Sequence, residues 1–161
     1  MTDAALVPGG RCELGSGLLA WQPLLAEQDM HIVMGPQGGY HFIVQARIAE
    51  MAPGDPATPG QAQNPSTTFS CFRADGKQID KRYPPYRLGY GQSAAGWFEL
   101  SSGRILQIDN GEIPALYGTR VRIALEVRDS VGHQAKDERS VRVVAPPAPP
   151  TTVDAGQPDA L

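Results

Sequence analysis

Residues 30–48, MHIVMGPQGGYHFIVQARI, restrict the fold more than any other stretch of this chain. Two extended runs flank Gly35, Pro36, Gln37, Gly38 and Gly39, residue types that supply positive φ or hold it near −65°, as a tight reversal needs. Folded as a hairpin about Gln37, the flanks pair Met34 with Tyr40, Val33 with His41, Ile32 with Phe42, His31 with Ile43 and Met30 with Val44. Side chains alternate along a strand, so Met30, Ile32, Met34, Tyr40, Phe42, Val44, Ala46 and Ile48 share a core face. His31 and His41 then share the opposite face with Val33 and Ile43. Since those two are apolar, that face is expected to be partly covered, by residues 52–65 or by a partner chain, with His41 hydrogen-bonded at its margin.

The second strong signal is residues 119–128. Val121, Ile123, Leu125 and Val127 alternate with Arg120, Arg122, Ala124, Glu126 and Arg128, the pattern of a sheet with one side in water. A turn at 129–133 and a return strand over 134–144 complete a closing hairpin. Shorter extended runs are expected at 12–14, 18–25 (an edge strand or bulge, given Pro23), 67–73, 86–90, 96–100 and 104–108, with one helical turn at most within 109–117. Eighteen glycines and 15 prolines among 161 residues supply the turns such a chain needs and argue against a helical fold.

Residues 52–65 carry four prolines and no apolar run, a long surface loop that is either disordered or used. Residues 1–10 read as a flexible lead-in and 11–144 as the folded domain. Residues 145–161, APPAPPTTVDAGQPDAL, read as a disordered, proline-rich linker or tail, because almost nothing there offsets the entropy of ordering. A net charge of −3 argues against a nucleic-acid partner. No apolar run is long enough to span a bilayer. No signal sequence opens the chain, which reads as either cytoplasmic or the mature part of an exported protein, the second fitting better. Cys12 and Cys71, each in an expected strand, are expected to form a disulfide in an oxidising compartment. Arg11 argues against lipid attachment at Cys12.

The closing hairpin, with Val121 to Val127 alternating, Asp129, Gly132, Val141 and Val143, resembles the last strands of immunoglobulin-like sandwich domains. The GPQGGYH stretch at 35–41 resembles a motif of uncharacterised secreted or lipid-anchored bacterial envelope proteins that share this ending, and VDAGQPDA resembles their spacers. The resemblance implies an immunoglobulin-like antiparallel β-sandwich with long loops, and an exported location at the periplasm, outer-membrane surface or beyond. It implies no chemistry.

An enzyme is not expected. No nucleophile elbow, phosphate loop or dinucleotide fingerprint is present, and Glu99, Asp109 and Glu112 read as scattered surface acids. No cofactor is expected. The chain reads as a non-enzymatic accessory or adhesion module, whose partner is a protein or a glycan at the cell surface. A carbohydrate-binding module is the alternative, using Tyr83, Tyr86, Tyr90 and Trp97 as stacking aromatics. A copper or zinc site at His31 and His41 is a more distant reading. Met30 and Met34 point away from those histidines and read as core fillers, and Arg120, Arg122 and Arg128 as a solvated face interrupted by Glu126.

Overall fold

The computed structural model describes residues 9–146, and its regular elements are almost all strands. In chain order these are β1 (Arg11–Ser16), β2 (Gln22–Pro23), β3 (Asp29–His31), β4 (Val33–Met34), β5 (Tyr40–Ala49), β6 (Ser66–Arg73), β7 (Tyr86–Arg87), β8 (Gly91–Gln92), β9 (Phe98–Glu99), β10 (Arg104–Ile108), β11 (Arg120–Arg128) and β12 (Gln134–Val144). A 3₁₀ turn, Asn110–Glu112, runs into the single-turn helix α1 (Ile113–Leu116), which has Pro114 in its first turn. The expected lead-in and tail lie outside the described residues, apart from Gly9, Gly10, Ala145 and Pro146.

The strands form two sheets stacked as a β-sandwich. In the first, the ten-residue β5 is central. One edge of β5 pairs with β1 and β4, and the other with β9 and β10. In the second, the order is β3, β12, β11, β6, β7. The last strand lies beside the penultimate one, which lies beside a middle strand, as in immunoglobulin-like domains. Every pairing is antiparallel except that of β3 with β12, which is parallel.

Alternation decides which side chains fill the space between the sheets. Cys12 and Leu14 of β1, Phe42, Val44, Ala46 and Ile48 of β5, and Leu106 and Ile108 of β10 are buried from one side. Phe69 and Cys71 of β6, the four aliphatics of β11, and Val141 and Val143 of β12 are buried from the other. Burying a Leu, Ile or Phe side chain is worth about 1.5–3 kcal/mol each, so this layer supplies most of the drive for the sheets to stack.

The GPQGG turn forms as expected: the Gly35 N–H donates to Gly39 C=O at 2.7 Å, and Gly38 takes φ +84°. Val33 pairs with His41 and Met34 with Tyr40. The other three expected pairs do not form. At Ile32 the chain leaves β5, and β3 joins β12 of the second sheet instead. Both Met30 and Ile32 still point into the core, because the space between the sheets is common to both. Met34 is 60% exposed at the sheet margin and fills no core gap.

The outer face of β5 is partly covered, but not by residues 52–65. Gly103 donates to Leu18 C=O at 2.8 Å, and the indole of Trp21 lies over Gly15, leaving no room for a Cβ there. Gln45 is fully buried beneath this cover, donating to Leu100 C=O at 3.2 Å and accepting from the Ala46 N–H at 3.0 Å. Residues 52–65 pack elsewhere and are well ordered around buried Asn64. Its Oδ1 accepts from the Asp55 N–H at 2.8 Å and its Nδ2 donates to Thr58 C=O at 2.5 Å. A Cβ on Gly89 would stand 2.2 Å from the Asp55 carbonyl carbon, so glycine lets this loop close onto the sandwich.

The expected disulfide is absent: Cys12 and Cys71 are both free and buried. They reach the core from opposite sheets as small apolar fillers, and burial raises both thiol pKa values, that of Cys12 up to about 12.

Candidate binding surface

The four aromatics expected to make one stacking platform are dispersed. Tyr90 is 1% exposed, with its hydroxyl 2.6 Å from Thr67 Oγ1, and belongs to the core. Trp97 lies over the guanidinium of Arg47, 4.1 Å from the ring centroid, and Trp21 covers the other side at 3.8 Å. Arg47 also donates from Nε and Nη2 to Glu13 Oε2 at 3.0 and 2.6 Å. This stack clamps β1 to β5 from outside, so Trp97 has a structural partner. Tyr86 is half-buried, stacked edge-on against Phe69 with centroids 6.4 Å apart. Tyr83 remains open, 58% exposed.

Tyr83 and Tyr86 do share a surface, the outer side of β10. In the chain between them, Pro84 and Pro85 hold the backbone extended without offering N–H groups. The Tyr86 hydroxyl donates to Ile105 C=O at 3.1 Å, and the Lys81 N–H donates to Gln107 C=O at 2.9 Å. The outward carbonyls of β10 are thereby occupied. The Tyr83 hydroxyl donates to Gln107 Oε1 at 2.8 Å, which fixes the amide and directs its Nε2 toward the GPQGG turn. There the approach is close: a Cβ on Gly39 would lie 2.8 Å from Gln107 Nε2.

Between that turn and β10 lies a concavity of about 360 Å³, lined by Gly35, Pro36, Gln37, Gly39, His41, Lys81, Ile105, Gln107 and Asn110. A narrower cleft lined by Tyr83, Pro84, Pro85 and Tyr86 adjoins it and shares Lys81, Ile105 and Gln107. No carboxylate lines either one. His41 stands at the rim, and its ring has no hydrogen-bond partner among the described residues, contrary to expectation. Burial lowers its pKa, which favours the neutral ring.

His31 and His41 do not share a face. The step between sheets at Ile32 puts His31 beside β12, where Nδ1 donates to Ala145 C=O at 2.7 Å. Among the described residues, no group of three or more His, Cys, Asp or Glu is placed to hold a metal. Glu112 is held by Lys77 and Arg73 at 2.6 and 3.0 Å, and these partners lower its pKa. Glu99 accepts from the Ser93 hydroxyl at 2.9 Å.

Charge separates this surface from the rest of the molecule. Of the 14 Lys and Arg residues, ten are ion-paired with a carboxylate. Among the described residues the other four, Lys81, Arg82, Arg87 and Arg104, have no such partner; Lys81 lines the concavity, and Arg104 sits 5.8 Å from the Tyr86 ring centroid. A larger hollow on the outer face of the second sheet is self-neutralised, with Arg122 on Glu138 and Lys136 on Glu126. The arginines of β11 are thus a solvated, paired face.

Lys81, Ile105, Gln107 and Asn110 escape sequence reasoning. Residues 77–85 fall outside every extended run expected from the sequence, and nothing local marks which cations lack a partner. The GPQGG motif is legible as a turn but not as a wall of the concavity. Comparison of the chain with models of known protein families and with curated proteins finds no match. No helix among the described residues is long and apolar enough to cross a membrane.

Proposed function

We propose that this chain is a non-enzymatic interaction module of the bacterial cell envelope, exported and tethered through its proline-rich tail. Its binding surface in this reading is the outer side of β10 with the GPQGG turn. The observation that carries it is that Lys81 and Arg104, which have no carboxylate partner among the described residues, lie beside exposed Tyr83, Tyr86 and the Gln107 amide, in a chain of net charge −3. An unneutralised basic and aromatic surface on an acidic protein suits an anionic partner, since complementary potentials steer encounter. The resemblance of the GPQGGYH stretch to envelope proteins supports the location.

The test is adhesion of the purified full chain to isolated bacterial envelopes. Lys81→Glu with Arg104→Glu should abolish a salt-sensitive adhesion, while Arg120→Glu, on the paired face, should leave it intact. Equal loss in both variants, or no adhesion at all, would refute the reading.

A further inference from the structure

We propose that the surface along β10 binds a carboxylate-bearing polysaccharide, a chain of uronic acid residues; this rests on the interaction-module reading and names its partner. The lining offers hydrogen-bond donors and cations and no acid: Lys81, with Arg104 near the Tyr86 ring, the Gln107 amide that Tyr83 directs toward the GPQGG turn, and Asn110. Beside them the ring of Tyr83 and the exposed side chain of Ile105, 53% accessible, give an apolar strip for the C–H face of a sugar ring. An alternating pattern of ring faces, hydroxyls and carboxylates matches such a strip flanked by donors and cations.

An acidic peptide is the competing anion, and β10 tells against it. A peptide gains most by adding a strand to an open edge. Here the outward carbonyls are already taken, that of Ile105 by the Tyr86 hydroxyl and that of Gln107 by the Lys81 N–H. The side chains along this edge, by contrast, suit hydroxyl-rich ligands. The concavity and the cleft adjoin through Lys81, Ile105 and Gln107, so the surface continues past either one, as an internal segment of a polymer requires.

The experiment is NMR titration of the full chain with hexagalacturonate, with the same oligosaccharide after carboxyl reduction, and with poly-L-glutamate. Hexagalacturonate should shift resonances of Lys81, Tyr83, Ile105 and Gln107, and the reduced sugar should bind about tenfold more weakly or not at all. Tyr83→Ala and Lys81→Gln should each weaken binding about tenfold. Tyr83→Phe keeps the ring but frees the Gln107 amide, and should weaken it less. Arg122→Gln serves as a control and should change nothing. Unchanged melting temperatures will show that the variants fold. Equal binding of the reduced sugar overturns carboxylate recognition. Poly-glutamate binding at these residues without hexagalacturonate overturns the glycan and leaves the interaction surface standing. Hexagalacturonate binding that survives both Lys81→Gln and Tyr83→Ala overturns both readings.

Discussion

Single side chains hold this sandwich at points where the backbone ladder alone would not. Asp129 is the clearest case. Its side chain is fully buried at the β11–β12 turn, where it accepts N–H bonds from Ala52, Val131 and His133 and lies 2.6 Å from His133 Nδ1. Desolvation pushes its pKa up, but these donors together outweigh it, and the net shift is downward. Its stabilisation is therefore present above the unfolded carboxyl pKa of about 3.9 and is lost as pH falls through the lower folded value. Asp129→Ala should cost about 3 kcal/mol at neutral pH. In urea titrations the gap to wild type should narrow on going to pH 3; a constant gap would contradict the assignment. Arg47, between Trp21 and Trp97, should cost about 2 kcal/mol when changed to Met, with a change in tryptophan emission. Arg47→Lys should recover less than half, because a lysine brings charge without a planar face. Unchanged emission in Arg47→Met would mean that the indoles do not depend on the cation.

At the level of elements, the sequence was legible wherever periodicity alone settles a question. β11 and β12 run as the alternation of Val121 to Val127 requires, and Ile32 and Phe42 face the core as their shared parity demands. Partners were less legible. Alternation reports the face a residue shows, not the strand beside it, so residues 30–34 read as one arm of a hairpin while the structure divides them between two sheets. The disulfide expectation failed for a related reason. Placing Cys12 and Cys71 in strands says that both turn inward, and β1 and β6 do turn them inward, but they arrive from opposite sheets with different neighbours. Cys12 lies near Asp137 and Cys71 near Asp80. Both thiols should be silent to a thiol reagent in the native protein, since burial disfavours their thiolates, and two should react in denaturant without reductant. Fewer than two would restore the bond. The binding surface was least legible, because Lys81 and Gln107 meet across 26 positions of chain and only tertiary pairing shows which cations are left unneutralised.

The whole molecule is two sheets joined by a strand segment that changes sides. β3 lies parallel to the last strand, with Asp29, Met30 and His31 beside Arg142, Val143 and Val144, and Asp29 clamps Arg142 through two bonds of 2.7 and 2.8 Å. The Ile32 N–H adds a bond to Val144 C=O at 3.1 Å, and the Arg142 N–H one to Gln28 C=O at 2.9 Å. A module held by its C-terminus feels tension along β12. Against a parallel neighbour, that tension meets all of these bonds side by side and must rupture them together, whereas an antiparallel hairpin would open one bond at a time. Pulling the chain by its two ends should thus show a single high rupture force. Met30→Pro removes the β3 donor at that position, and should lower the force while leaving the β11–β12 hairpin formed. An equal force in that variant would place the mechanical barrier elsewhere. The step at Ile32 thus makes the end of β12 the part of the sandwich that resists a pull from that side.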